Sequence, residues 1–110
     1  MIPDTPPRRA VVQAELNRRI GALREQPPTA LRALPSSLVD ESDVAGTPVR
    51  FTTGCNHEQD GRILIVIRSD YSVLWGLTST GSTEGFWLTP DDRKVDASVK
   101  DIMDLEWQGL

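Results

Sequence analysis

The side-chain types best suited to chemistry gather at Cys55-Asn56-His57-Glu58. A thiolate nucleophile needs a base within hydrogen-bonding reach, and a zinc site needs three or four ligands at defined spacing. The chain has no second cysteine or histidine, so a metal site would need carboxylates or a second subunit. The spacing reads instead as a polar hairpin loop with His57 facing solvent, and neither a metal nor a cofactor is expected. Acids cluster at Asp40, Glu41 and Asp43, at Asp91 and Asp92, and at Asp101, Asp104 and Glu106. A hydrolytic pair requires two carboxyls held apart in a cleft with separated pKa values. These acids instead fall in loops and near the C-terminus, as a solvated surface does.

No glycine-rich stretch precedes a helix with a lysine, which argues against a phosphate cradle. The aromatics say more. Apart from Phe51, they are Tyr71, Trp75, Phe86, Trp87 and Trp107. Phe86 and Trp87 are adjacent, so in a strand they point to opposite faces. One of them must leave the main core for a second layer, a protein interface or a stacking platform. A small-ligand or enzyme site on this half of the chain would use Tyr71, Trp75 and Trp87, with Asp70 or Glu84 as the polar group.

The elements that would position these residues follow from periodicity. Thr5-Pro6-Pro7 is a helix start, with a capping side chain and prolines in the first turn. Val12, Leu16, Ile20 and Leu23 then form one face of a helix over 6–26, stopped by Pro27-Pro28. Glu15 stands four residues before Arg19, an ion-pair spacing. A short helical turn is expected over 29–34, inside a connection spanning 27–46, with 36–46 exposed and Leu38, Val39 and Val44 dipping toward the core.

From Thr47 the period becomes two. Strands are expected over 47–53, 62–68, 72–78 and 84–89, separated by turns at 56–61, 69–71, 79–83 and 90–92. Ile63 to Ile67 is apolar on both faces, so it is a central strand needing cover on both sides. Connections this short permit only an antiparallel meander. Ser98-Val99-Lys100-Asp101 has the form of a capping box, followed by one or two helical turns and an edge strand through Trp107. The expectation is one α+β domain over 1–110. Its N-terminal amphipathic helix packs on a 4–5-stranded antiparallel β-meander over 47–110, with closure into a small, partly open barrel as an alternative.

The chain has 110 residues, 38% hydrophobic and 25% charged, with a formal net charge of −4. That is a single-domain length and an ordinary globular composition. Residues 1–35 carry six arginines against Asp4, Glu15 and Glu25, whereas 36–110 carry six basic residues against thirteen acids. Such a split suits two halves of one fold that attract each other, or else a basic arm for a polyanion. The longest apolar run, Ile63 to Ile67, is far short of the ~20 residues of a membrane span. Polar residues interrupt the stretch behind Arg8 and Arg9, unlike a secretory leader. With its single cysteine the chain is expected to be cytoplasmic.

A helix followed by a bent five-stranded sheet resembles the layout of Sm-like RNA-binding proteins. That resemblance implies RNA or DNA binding, with Arg18 and Arg19 as contacts. The stretch Asp70-Tyr71-Ser72-Val73-Leu74 lacks the asparagine of that family's uridine-binding loop, however, and no Arg-Gly pair follows. The acidic half also repels phosphate. With no complete catalytic constellation and more aromatics than one sheet face absorbs, the sequence points to a non-enzymatic protein-binding or regulatory module. Its partner is expected to be another protein or a second copy of itself, rather than nucleic acid or a membrane.

Overall fold

The computed structural model describes residues 6–73 and 78–107. The element order is α1 (Pro6–Arg24), α2 (Pro28–Arg32), β1 (Ser37–Val44), β2 (Thr47–His57), β3 (Ile63–Val73), β4 (Thr78–Leu88), β5 (Lys94–Asp96) and α3 (Val99–Trp107). The strands form one antiparallel sheet in the order β1-β2-β3-β4-β5. It is an α+β layout with an N-terminal helix on a meander. The sheet ends at β1 and β5 without closing, so the barrel alternative is set aside.

Among the described residues, three hairpin turns set the register. Val44 pairs with Thr47 across Ala45-Gly46, whose φ values of 51° and 86° give the primed turn that matches strand twist. The Asp43 carboxylate accepts the Gly46 N–H at 2.7 Å. The β2–β3 and β4–β5 turns share a second geometry. Gly61 N–H donates to Glu58 O and Asp92 N–H to Thr89 O, at 3.1 and 3.0 Å. Gly61 and Asp92 are both left-handed, with φ of 92° and 68°.

One face of the sheet lies under the N-terminal helices. Val12 and Leu16 of α1 pack with Val49, Phe51, Ile67 and Tyr71. Leu31 of α2 packs with Cys55, Ile63, Ile65, Phe86 and Leu88. Ile20 and Leu23 touch both groups, so the expected helical stripe is the seam joining them. Full burial of a side chain such as Leu16 stabilises by roughly 2 kcal/mol.

The opposite face answers what covers Ile63 to Ile67 from behind. Leu64, Val66 and Trp87 pack against Ile102 of α3. The capping box forms as the sequence indicates: Asp101 N–H donates to Ser98 Oγ at 3.1 Å, and Ser98 N–H to the Asp101 carboxylate at 3.2 Å. Helix α3 continues through Trp107, so the edge strand expected there is replaced by β5, earlier in the chain.

Three expectations are corrected. Residues 37–44 form strand β1 instead of an exposed connection, and Leu38 and Val39 are 52% and 55% exposed instead of dipping inward. Ser69-Asp70-Tyr71 continues β3 instead of turning. Ser69 is fully buried, and its hydroxyl donates to Ser82 O and accepts from Ser82 N–H, both at 3.2 Å. The 79–83 segment is likewise strand, because Gly81 pairs with Asp70 at a point where a Cβ would lie 1.6 Å from Ser69 O. Glycine there signals close backbone approach, not a turn.

Candidate interaction surface

Three arginines of the N-terminal helices, Arg19, Arg24 and Arg32, are tied to the sheet and its turns. Arg19 donates to Glu15, Asp40 and Ser42 at 2.8, 2.7 and 2.9 Å, and its guanidinium lies 3.9 Å over the Phe51 ring. It holds the Asp40 carboxyl below its ordinary range. Arg18 pairs with Glu15 at 2.5 Å. The two arginines expected to contact nucleic acid therefore face acids of this chain. Arg24 reaches Asp96 at 2.5 Å, Lys94 donates to Gln26 O at 2.7 Å, and Arg32 pairs with Asp92. These contacts realise the attraction between basic and acidic halves.

Of the five residues expected to form a ligand site, the four described ones divide between the two faces of the sheet, although Asp70 and Tyr71 both border one hollow of ≈ 750 Å³. Tyr71 is buried under α1. Glu84 lies on the same face and accepts from Gln13 at 3.3 Å. Asp70 and Trp87 lie on the other face. Trp87 sits opposite Leu64 in register, six residues along β3 from Asp70, or about 20 Å at strand rise. Trp87 is packed, its indole N–H donating to Asp101 at 3.0 Å, with the Arg62 guanidinium 4.3 Å over its ring. Trp75 lies outside the described residues. Alternation along each strand separates what the sequence places close together.

Helix α3 covers only the apolar end of its face. Beyond it, among the described residues, the same face is polar and open. One cross-strand row runs Glu41–Arg50–Asp70–Gly81, and the next runs Val39–Thr52–Arg68–Thr83. Arg50 pairs with Glu41 at 3.2 Å and Arg68 with Asp70 at 3.1 Å. Asp70 and Arg68 border two hollows of ≈ 750 and ≈ 440 Å³, the first walled by Glu41, Asp43 and Arg50, the second by Val99 and Met103 of α3. Sequence reasoning missed Glu41, Arg50 and Arg68 as a group because each reads as an ordinary solvated charge.

Edge strand β1 completes this surface. Leu38 and Val39 project to opposite faces, both more than half exposed. The signal that could have located β1 is Ala45-Gly46, two residues with a valine before them and the next strand after them.

Nucleophilic chemistry finds little purchase here. Cys55 is buried under α2, and burial pushes its thiol up to about 11. His57 is exposed two residues further along β2. Among the described residues, no group of three His, Cys, Asp or Glu side chains could hold a metal ion, and no helix is long and apolar enough to cross a membrane. No protein-family model matches the chain, and no curated protein or solved structure is significantly similar to it.

Proposed function

We propose that this domain is a non-enzymatic protein-binding module that works through β1 and the adjoining open strip of sheet around Val39, Glu41 and Arg50. The observation that carries this reading is the β1 edge. It is an eight-residue strand at the end of the sheet, with half-exposed Leu38 and Val39 on its two faces. Its outer row of backbone groups is unpaired by any strand among the described residues. Exposed edges of this length are templates for pairing with another chain. The burial of Tyr71, Trp87 and Cys55 favours binding over catalysis, because each is used for packing.

The test is retention of a partner by the full chain used as bait under native conditions, with two variants alongside. The expected result is one protein held in stoichiometric amount by the wild type and by Val11→Asp, and lost from the Leu38→Asp/Val39→Asp pair. Val11, on α1, is 42% exposed and serves as the surface control. Retention of nucleic acid or a small molecule in place of protein, or equal retention by all three forms, overturns the reading.

A further inference from the structure

Backbone geometry fixes which groups of β1 face outward. Cys55 N–H donates to Ser36 O at 3.1 Å, and the two-residue turn closes the hydrogen-bonded pair Val44/Thr47. Bonded pairs recur every second residue in an antiparallel ladder. Residues 36, 38, 40, 42 and 44 therefore direct their backbone groups to β2. Ser37, Val39, Glu41 and Asp43 direct theirs outward, with side chains on the open face.

We infer that β1 accepts one extended segment of a different protein as a sixth strand, a segment that alternates apolar residues with lysine or arginine. This deepens the protein-binding reading and rests on it. Charge selects the occupant. An antiparallel copy of β1 that faces outward residues to outward residues and pairs seven of its eight residues has two registers. One sets Asp40 against Asp40 and the other Glu41 against Glu41. Like charges directly opposite destabilise a sheet, so a second copy is the wrong occupant.

A basic side chain across from Glu41 or Asp43 meets the opposite sign instead. Arg50 already pairs with Glu41, while Asp43 holds only the Gly46 N–H and has no cation of its own among the described residues. Apolar side chains across from Leu38 and Val39 cover two side chains that are otherwise more than half exposed. On the helix face, a hollow of ≈ 440 Å³ is bordered by Leu23, Leu31 and Leu34, by Arg18 and Arg19, and by Thr53. Thr53 is the register partner of Leu38.

The probe is a random-peptide display library panned on the full chain, followed by affinity measurement on the enriched peptides. The expected peptides alternate apolar residues with Lys or Arg and lose at least tenfold in affinity to Val39→Pro. That change removes an outward N–H and leaves the β1–β2 ladder intact. Should Val39→Pro melt the domain, Glu41→Arg breaks only the side-chain pair with Arg50, and it is expected to shift selection away from basic peptides. Three results overturn the inference: no enrichment, peptides whose affinity is indifferent to both variants, or light scattering showing a dimer that Val39→Pro dissociates. A stoichiometric partner that survives Val39→Pro sinks the added strand alone, whereas absence of any protein partner sinks the binding reading itself.

Discussion

Removing the Asp101 carboxylate tests how α3 is fastened. That carboxylate accepts the Trp87 indole N–H at 3.0 Å and the Ser98 N–H at 3.2 Å, so it caps the helix and clasps it to β4 at once. Loss of the cap costs about 1 kcal/mol. The indole belongs to a buried tryptophan, and leaving its N–H unpaired costs about another 1 kcal/mol. Water can reach the vacated side, which keeps the total for Asp101→Ala near 2 kcal/mol. At about 4 °C per kcal/mol for a domain of this size, the melting temperature falls by about 8 °C at pH 7.

The pH dependence gives a second check. The Trp87 indole first, then Ser98, holds the Asp101 carboxyl below its ordinary 3.8. A depressed folded-state pKa contributes stability that is fully present above the unfolded value and lost as pH falls through the folded one. Wild type and variant should therefore converge in melting temperature as pH drops below 3.8. Calorimetry at pH 7 and under acid conditions reads both effects. A loss under about 2 °C at pH 7, or a gap that persists unchanged into acid, would falsify the clasp.

Ala45 sits at φ 51° in the β1–β2 turn, where an L-side chain costs roughly 1 kcal/mol. Ala45→Asn should raise the urea midpoint without changing the slope, and a lower midpoint would contradict the turn assignment. Glu15, hydrogen-bonded first by Arg18 and also by Arg19, should titrate at about 2 instead of 4.5 in a carbon-detected NMR titration. Its share of stability is present above 4.5 and fades toward about 2, and a midpoint near the ordinary value would show that the pair is broken in solution. Cys55, with its thiol at about 11, should resist disulfide-exchange reagents at pH 8 until denaturant is added. Rapid labelling of the native protein would place the thiol at the surface.

The sequence announces this fold where burial is uniform and falls silent where it is not. The α1 stripe and the doubly apolar Ile63 to Ile67 are legible because apolar side chains must leave water, and their spacing shows which face does so. Ser98 and Asp101 are legible because a capping box is local chemistry. Strand β1 is not, since an edge strand with acids on both faces carries no apolar alternation. Ser69 and Gly81 read as turn formers. In fact each answers a neighbour distant in sequence: a hydroxyl satisfied across the ladder by Ser82, and a backbone contact too close for a Cβ. Of the residues expected to form a ligand site, Tyr71 and Glu84 take one face and Asp70 and Trp87 the other for a related reason. Proximity in sequence says nothing of register, and parity sends these residues to opposite faces.

The ion pairs that seat α1 and α2 also bear on how the chain is made. Arg24 meets Asp96 across 72 residues of sequence, and Arg32 meets Asp92 across 60. On a ribosome, α1 emerges well before Asp92 and Asp96. Throughout that interval the stripe Val12, Leu16, Ile20, Leu23 has no sheet to lie on. Contacts this distant slow folding, and exposed apolar surface invites wrong associations. Glu15, which pairs with both Arg18 and Arg19 within the helix itself, is a charge partner available long before the sheet is. It can help keep the nascent helix formed while the strands that will receive it are still being added.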